Sequence, residues 1–146
     1  MEIRELEEAE VLIDFLNKTK NDFPISLDNK VDIIEYVNKL TMNGIVIGIM
    51  ENESLEGIIG GYCNDFETKT AYISILIINK VHRGKGYSKK LLSGFIEKCY
   101  KNKMDNILVY TNHQNKEAIG LYESNGFIKC DEVTSNIKFL KKLEVA

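Results

Sequence analysis

The chain has 146 residues, a formal net charge of −3, 44% hydrophobic residues and 28% charged residues. This length is enough for one domain with a proper core and too short for two, and the composition is ordinary for a globular protein. The acidic balance argues against nucleic acid as a partner, and no apolar run approaches the ~20 residues of a membrane-spanning helix. We therefore expect one domain, residues 1–146, with neither nucleic acid nor a membrane among its partners.

The cysteines and histidines exclude two further classes of protein. Cys63, Cys99 and Cys130 are odd in number and isolated in the sequence. This pattern favours reduced, buried thiols of a cytoplasmic protein over a disulfide-stabilised domain. His82 and His113 have no cysteine at metal-site spacing, so we expect no metal site.

The N-terminal third predicts one short strand and two amphipathic helices. The strand covers residues 3–6, and apolar residues at helical spacing then predict a helix that ends near Thr19. Residues 20–29 form a predicted loop that contains the only proline, Pro24. A second helix ends at residues 43–44, an Asn-Gly pair. Its predicted inward side chains are Ile33, Ile34, Val37 and Leu40.

The middle of the chain predicts three strands and a long helix. Residues 45–50 and 55–63 are apolar on either side of a polar turn, which predicts a β-hairpin. A central strand over residues 72–78 is apolar and rich in isoleucine, as expected of a buried strand. Apolar residues then recur at the spacing of a helical buried stripe. They are Leu91, Leu92, Phe95, Ile96 and Cys99.

The last third predicts a strand at residues 106–111, a helix at 116–124, and a final pair of strands at 127–130 and 136–143. The complete order is β-α-α-β-β-β-α-β-α-β-β. Early hairpins and a central β-α-β crossover imply an α/β (α+β) fold. We expect a mixed, mostly antiparallel, twisted sheet of six to seven strands with helices on both faces.

The loop at residues 79–86 has the features of an anion site. It contains two glycines and four basic side chains between a buried strand and a helix. Such a turn leaves free N–H groups and the positive end of a helix dipole directed at one point. Residues 68–96 also contain no Asp or Glu, although the chain has 22 acidic residues. The alternative interpretation is a solvated basic loop.

Two motifs give these observations a family context. The pattern R-x-x-G-x-S at residues 83–88 resembles the acetyl-CoA-binding signature [Q/R]-x-x-G-x-[G/A] of the GNAT N-acetyltransferase superfamily. Ser88 departs from that signature. Residues 115–127 are similar, without a gap, to the family segment N-x-x-A-x-x-x-Y-x-x-x-G-F. The predicted element order also matches the GNAT fold along the full chain.

The resemblance implies acetyl-CoA as co-substrate and no metal. The positions that it assigns to cofactor binding are Leu76, Ile78, Arg83, Gly84, Lys85, Gly86, Tyr87, Ser88 and Asn115. Backbone N–H groups around Leu76 to Ile78 would polarise the thioester carbonyl. Asn115 would contact the pantetheine arm or cap the following helix, and both roles are compatible.

Tyr122 stands where the family keeps a tyrosine beside the sulfur. With an ordinary pKa near ~10, its hydroxyl is protonated at neutral pH and can donate a proton to the leaving thiolate. The alternative role is a core tyrosine that packs against the central helix. The general base is left open, because several residues have plausible positions and many family members use a water chain. The candidates are Glu51, Asp65, Tyr72, Ser74 and His113.

The amine acceptor is expected to enter opposite the cofactor, against the N-terminal helices and their connecting loop. We predict that Phe23 and Ile25 bind the acceptor, with Pro24 and Leu27 in the same wall. Asp22 and Asp28 flank this wall and could orient an ammonium or hydroxyl group. The alternative is that Phe23 and Ile25 fill the core.

The resemblance thus implies an acetyl-CoA-dependent N-acetyltransferase that acts on the primary amine of a small molecule by direct attack. One alternative is a peptide or protein N-terminal acetyltransferase, and another is a non-catalytic acyl-CoA-binding module with the GNAT fold. The expected partners are acetyl-CoA and a small amine, with a homodimer as a further option.

Overall fold

The computed structural model describes residues 1–144 and contains seven strands and four α-helices in that range. The strands are β1 (Glu2–Glu5), β2 (Ile45–Glu51), β3 (Ser54–Tyr62), β4 (Thr70–Ile78), β5 (Asn106–Asn112), β6 (Ile128–Val133) and β7 (Asn136–Lys142). The helices are α1 (Ala9–Thr19), α2 (Ile33–Asn43), α3 (Tyr87–Lys101) and α4 (Lys116–Ser124). Short 3₁₀ turns lie at residues 20–22, 27–29 and 80–82.

All seven strands join one sheet in the order β1-β2-β3-β4-β5-β7-β6. Only β4 and β5 are parallel, and they are joined by the crossover through α3. The other five pairings are antiparallel. The predicted mixed, mostly antiparallel sheet is therefore confirmed.

Helices cover both faces of the sheet, as predicted. On one face, buried residues of α3 and α4 pack with β4, β5 and β7 around Phe95 and Phe139. On the other face, α1 and α2 pack on the sheet around Leu16 and Val37. No helix within residues 1–144 combines the length and apolar character needed to cross a membrane.

A β-bulge at Ser74 divides β4 into two halves. Gly61 of β3 pairs with Ile73 and Gly60 pairs with Ile75, so Ser74 is the extra residue. The bulge changes which face the side chains occupy: Ile73 packs under α3, whereas Ile75 packs under α1 and α2. A bulge also bends a strand and increases its twist.

The parallel ladder between β4 and β5 ends at the same place. It runs from the pair Thr70 and Asn106 to the pair Ile73 and Val109, and no pair follows. The second half of β4 therefore leaves β5, and a gap opens between residues 74–78 and the end of β5. The functional site is built around this gap.

Two predictions about side-chain burial are wrong. Ile34 is 58% exposed, because the buried face of α2 follows Ile33, Val37 and Leu40 at i, i+4 and i+7. Cys130 is also exposed, since it lies on the edge strand β6, where no element covers it.

Cys63 and Cys99 are buried free thiols, as predicted. Several predicted boundaries shift by one to three residues, which is common at element ends. The first strand begins at Glu2, and β6 runs three residues beyond the predicted end at Cys130.

Gly61 is required by close packing opposite the bulge. A Cβ at this position would lie 2.1 Å from the carbonyl oxygen of Tyr72 and 2.9 Å from the ring of Phe95. We expect Gly61→Ala to lower the free energy of unfolding by about 3 kcal/mol, because backbone atoms must move to admit the methyl group. Gly120→Ala in α4 is the matched control, since nothing lies within 4 Å of its added Cβ.

The control should gain about 0.5–1 kcal/mol from the better helix propensity of alanine. Urea denaturation of both variants measures these changes. An unchanged unfolding free energy for Gly61→Ala would show that β3 and β4 are not held this tightly at the bulge.

Candidate active site

The loop between β4 and α3 presents unpaired backbone donors. Gly84 and Gly86 have φ values of +80° and +79°, and no atom lies within 4 Å of an added Cβ at either position. The first bond of α3 runs from Lys90 N–H to the carbonyl of Gly86 at 3.2 Å. The N–H groups of residues 87–89 therefore have no acceptor in the helix and are directed at the open space before it.

Basic side chains surround the same loop. Arg83 donates from Nε to the carbonyl of Ile78 at 3.3 Å, and Lys85 Nζ lies 3.1 Å from His82 Nδ1. Lys89 and Lys90 are exposed in the first turn of α3. Their positive charges are unfavourable near the positive end of the helix dipole, and a bound anion would offset this cost. Free donors and this charge together favour a phosphate-bearing ligand.

Two carboxylates fix the underside of this loop. Glu56 accepts from Asn79 Nδ2 at 2.8 Å and lies 3.4 Å from His82 Nε2. Glu51 accepts a hydrogen bond from the Tyr87 hydroxyl, and this bond holds the pKa of Glu51 below its usual range. The side chain of Tyr87 thus anchors the start of α3 from below, while its N–H group faces the open side.

A cavity of ≈480 Å³ extends from this loop into the gap between β4 and β5. We call it the glycine-loop cavity. Five of the predicted cofactor-binding residues line it: Leu76, Ile78, Arg83, Ser88 and Asn115. Gly84, Lys85 and Gly86 belong to the loop at its edge, and Tyr87 is the first residue of α3.

The backbone of β4 contributes donors to the gap. Asn79 N–H donates to the carbonyl of Glu56 on the β3 side at 2.8 Å. Alternate residues of a strand direct their N–H groups to opposite sides. Leu76 and Ile78 therefore direct their N–H groups towards β5, where the ladder has ended.

A second cavity of ≈340 Å³ adjoins the first on the other side of the gap. We call it the tyrosine cavity, because Tyr36, Tyr72, Tyr110 and Tyr122 line it. The two cavities share the lining residues Phe23, Pro24, Leu76, Asn115 and Ala118. A ligand in one cavity can therefore meet a ligand in the other beside Leu76 and Ala118.

Tyr122 lines the tyrosine cavity and is tightly packed. It is 3% exposed, and its ring packs against Phe127 at 5.2 Å and Phe139 at 6.1 Å between centroids. Burial raises the pKa of Tyr122, so its hydroxyl keeps its proton throughout the neutral range. Asn115 accepts from Ala118 N–H at 3.2 Å, and this cap fixes the start of α4.

The bulge residue is tied to α2 across the tyrosine cavity. The Tyr36 hydroxyl and Ser74 Oγ are 2.6 Å apart. Burial raises the pKa of Tyr36, and it also raises the pKa of Tyr72. Tyr72 packs edge-on against Tyr110, with 6.4 Å between ring centroids.

Of the five candidates for the general base, two line a cavity and three do not. Glu51 and Asp65 lie outside both cavities, and Asp65 accepts from Thr68 N–H at 3.1 Å in the turn before β4. His113 is also outside both. Tyr72 and Ser74 line the tyrosine cavity.

The predicted acceptor wall lies at the tyrosine cavity. Phe23 and Pro24 line both cavities, and Ile25 lines the tyrosine cavity while 44% exposed. Ile25 therefore does not fill the core. Phe23 is partly buried against the cluster under α1 and α2, and Leu27 is buried within that cluster.

Sequence reasoning did not assign several of the residues that line the tyrosine cavity, among them Tyr36, Tyr110 and Thr111. Tyr36 is outside the apolar stripe that defined α2, and Tyr110 is an exposed residue of an otherwise buried strand. Thr111 Oγ1 is the one buried side-chain oxygen or nitrogen within residues 1–144 that lacks a hydrogen-bond partner. No sequence pattern marks any of these three residues as part of a cavity. Across residues 1–144, no three His, Cys, Asp or Glu side chains are grouped to hold a metal ion.

Comparisons with known proteins agree with this geometry. Residues 10–127 match the family model described as "Acetyltransferase (GNAT) family". N-alpha-acetyltransferase 30 of Saccharomyces cerevisiae is 38% identical over 58 residues, which are 40% of this chain and 33% of that protein. The match therefore spans about a third of the length of the curated relative.

Solved structures reproduce the fold. An acetyltransferase of the GNAT family from Staphylococcus aureus Mu50 is similar with a TM-score of 0.79 and 22% identity, over 98% of this chain and 100% of that one. The PaiA N-acetyltransferase from Thermoplasma acidophilum, in complex with coenzyme A, has a TM-score of 0.77 and 18% identity, with the same coverage of 98% and 100%.

The bond between Tyr36 and Ser74 predicts an energetic coupling. We expect Tyr36→Phe and Ser74→Ala each to lower the free energy of unfolding by about 1–1.5 kcal/mol, because each leaves the other hydroxyl without its partner. The double variant should lose about 1 kcal/mol less than the sum.

A urea-denaturation double-mutant cycle measures this coupling. Tyr100→Phe is the matched control, since Tyr100 is an exposed residue of α3 and should combine additively with Ser74→Ala. Additivity of Tyr36→Phe and Ser74→Ala would mean that the hydroxyl pair does not hold α2 to the bulge.

Proposed function

The chain belongs to the GNAT acetyltransferase family, and on this premise we propose that it transfers the acetyl group of acetyl-CoA to the primary amine of a small molecule. One observation carries the proposal: two cavities adjoin where β4 leaves β5, and one of them extends to the glycine loop with its unpaired N–H groups. The glycine-loop cavity suits an anionic donor, and the tyrosine cavity suits an acceptor that must approach the thioester from the other side.

The residues of the glycine-loop cavity fit acetyl-CoA. Gly84 and Gly86 leave room for a phosphate chain against the backbone, and residues 87–89 offer free N–H groups. Ser88 lines this cavity at the position where the family signature has glycine or alanine. The free N–H groups of Leu76 and Ile78 can pair with the pantetheine arm and polarise the thioester carbonyl, as an oxyanion site does.

Direct attack needs a neutral amine, a polarised carbonyl and a proton for the departing thiolate. The nitrogen lone pair forms the C–N bond, the C–S bond breaks, and the sulfur takes the electron pair. The nitrogen then releases one proton to water, and the Tyr122 hydroxyl regains from water the proton that it gives to the sulfur. Tyr122 lines the tyrosine cavity and donates the proton to that sulfur. Burial raises the pKa of Tyr122, which keeps the hydroxyl protonated but also makes it a weak acid, so its contribution to the rate is small. Phe23 and Ile25 hold the apolar part of the acceptor.

A second candidate acceptor is the N-terminus of a peptide. The similarity to yeast N-alpha-acetyltransferase 30 over 58 residues favours it. A non-catalytic acyl-CoA-binding module has less support, because a pure binding module needs no hydroxyl at the reacting sulfur. The free thiols of Cys63 and Cys99 support a cytoplasmic location.

Acetyl-CoA should protect the protein against heat. At millimolar ligand and micromolar affinity, mass action gives about 4 kcal/mol of stabilisation. Gly86→Val should abolish the shift in Tm, because a β-branched side chain does not adopt the φ of +79° that presents the N–H groups.

Gly126→Val is the matched control for the loss of a left-handed glycine. Gly126 has a φ of +86° and lies outside both cavities, so this variant should lose stability and still respond to acetyl-CoA. Differential scanning fluorimetry measures both effects. Protection by NAD or ATP and not by acetyl-CoA would refute the assignment of the loop.

Tyr122→Phe tests the proposed acid. The variant keeps the buried ring and its contacts with Phe127 and Phe139, so Tm should change little. We expect kcat to fall by roughly 10²-fold or less, the lower end of general-acid contributions, because a thiolate can leave unaided. Tyr100→Phe serves as control. Equal kcat for Tyr122→Phe and wild type, with chemistry rate-limiting, would assign Tyr122 a packing role alone.

A further inference from the structure

The tyrosine cavity is almost free of charge. Lys30 is the only one of its lining residues that carries a full charge at neutral pH, and no Asp, Glu or His lines it. At the average of 22 acidic residues in 146, a lining of this size would contain about three carboxylates. The other titratable groups that face it are Tyr36 from α2, Tyr72 from β4, Tyr110 from β5 and Tyr122 from α4.

The carboxylates of neighbouring segments do not line the tyrosine cavity. Asp22 and Glu117 line the adjoining glycine-loop cavity, and Asp22 forms an ion pair with Lys80 at 3.0 Å. Asp28 accepts from Ser26 Oγ at 2.5 Å and lies 3.5 Å from Lys20. That Asp22 and Asp28 orient an ammonium or hydroxyl group stays a prediction.

A protonated amine that enters the tyrosine cavity loses water and finds no counter-ion. Burial without a partner strongly disfavours the charged form of an amine. The tyrosines do not supply a negative charge, because burial raises the pKa of Tyr36 and Tyr72. Lys30 also lines the tyrosine cavity, and its positive charge repels an ammonium group.

The lining of the tyrosine cavity suits a neutral amine. The hydroxyl-bearing residues Tyr36, Tyr72 and Ser74 line the cavity, and a hydroxyl can both accept from and donate to an uncharged amine. The cavity is thus suited to the form of the amine that also holds the reactive lone pair.

We propose that the tyrosine cavity selects its acceptor by basicity and takes an α-amino group in preference to an ε-amine or a polyamine. This inference rests on the proposed acetyl transfer. An α-amino group has a pKa of about 7.7–8.0 and a lysine ε-amine about 10.4, so their neutral fractions at pH 7 differ roughly 300-fold. The cavity preserves this difference because no carboxylate or histidine lines it to pair with an ammonium, and its neutral tyrosine rings and hydroxyls offset only part of the cost of burying the charge.

Two isomers test the inference with matched size and composition. Nε-acetyl-lysine amide has a free α-amine, and Nα-acetyl-lysine amide has a free ε-amine. With saturating acetyl-CoA at pH 7, kcat/KM should favour the free α-amine by about 10²-fold or more. The preference should fall about tenfold per pH unit above pH 8, because only the ε-amine still gains neutral form.

A carboxylate placed in the cavity should weaken the selection. Ile25 is exposed at the lining, so Ile25→Glu can fold, and Ile25→Gln is its uncharged match. Ile25→Glu should reduce the preference for the α-amine at pH 7 by about three- to tenfold, since it supplies a counter-ion for the ε-ammonium. Ile25→Gln should leave the preference, though not necessarily the rate, as in wild type.

The outcomes separate this inference from the proposed function. A preference for the ε-amine, or equal pH profiles for the two isomers, overturns selection by basicity and leaves acetyl transfer intact. If no acetyl transfer occurs to either isomer or to spermidine, although acetyl-CoA raises Tm, both the proposed function and this inference fail. Comparing Nε-acetyl-lysine amide with a tetrapeptide that begins with the same residue then tells whether the α-amine comes from a small molecule or a peptide.

Discussion

The bulge at Ser74 is the constraint on which the rest of the site depends. One extra residue in β4 ends the ladder with β5 after Ile73 and frees the N–H groups of Leu76 and Ile78. It also turns Ser74 towards α2, where the 2.6 Å contact with Tyr36 fixes one wall of the tyrosine cavity. A continuous ladder would have paired these backbone groups and closed the gap. The sheet therefore lacks the hydrogen bonds that would join the second half of β4 to β5, and the gap between the two strands stays open.

The gap divides the site into two electrostatic environments. The glycine-loop cavity combines unpaired N–H groups, a helix dipole and basic side chains, as an anion requires. The tyrosine cavity is lined by aromatic rings and neutral hydroxyls, and no carboxylate lines it to balance the charge of an ammonium. Tyr122 lines only the tyrosine cavity, and burial holds the proton on its hydroxyl. Under the proposed function, this division would give the anionic donor and the neutral amine separate surroundings.

Much of the fold could be predicted because its patterns are local. Buried strands, amphipathic helices and the order of elements followed from the spacing of apolar residues, and the sheet class followed from that order. The errors arose where burial depends on distant neighbours. Ile34 is next to Ile33 in sequence but about 100° away on α2, and Cys130 lies on an edge strand that nothing covers.

By itself, the sequence determined the resemblance to the family and predicted an anion site at the glycine loop. Glycines at 84 and 86, basic residues around them and an acid-free stretch are local features that a motif can record. Only the tertiary structure decided where the bulge lies and which side chains form the tyrosine cavity. Backbone donors have no side-chain signature, and Tyr36, Ser74 and Thr111 come from α2, β4 and β5. Their proximity results from packing across the sheet, which no spacing along the chain encodes.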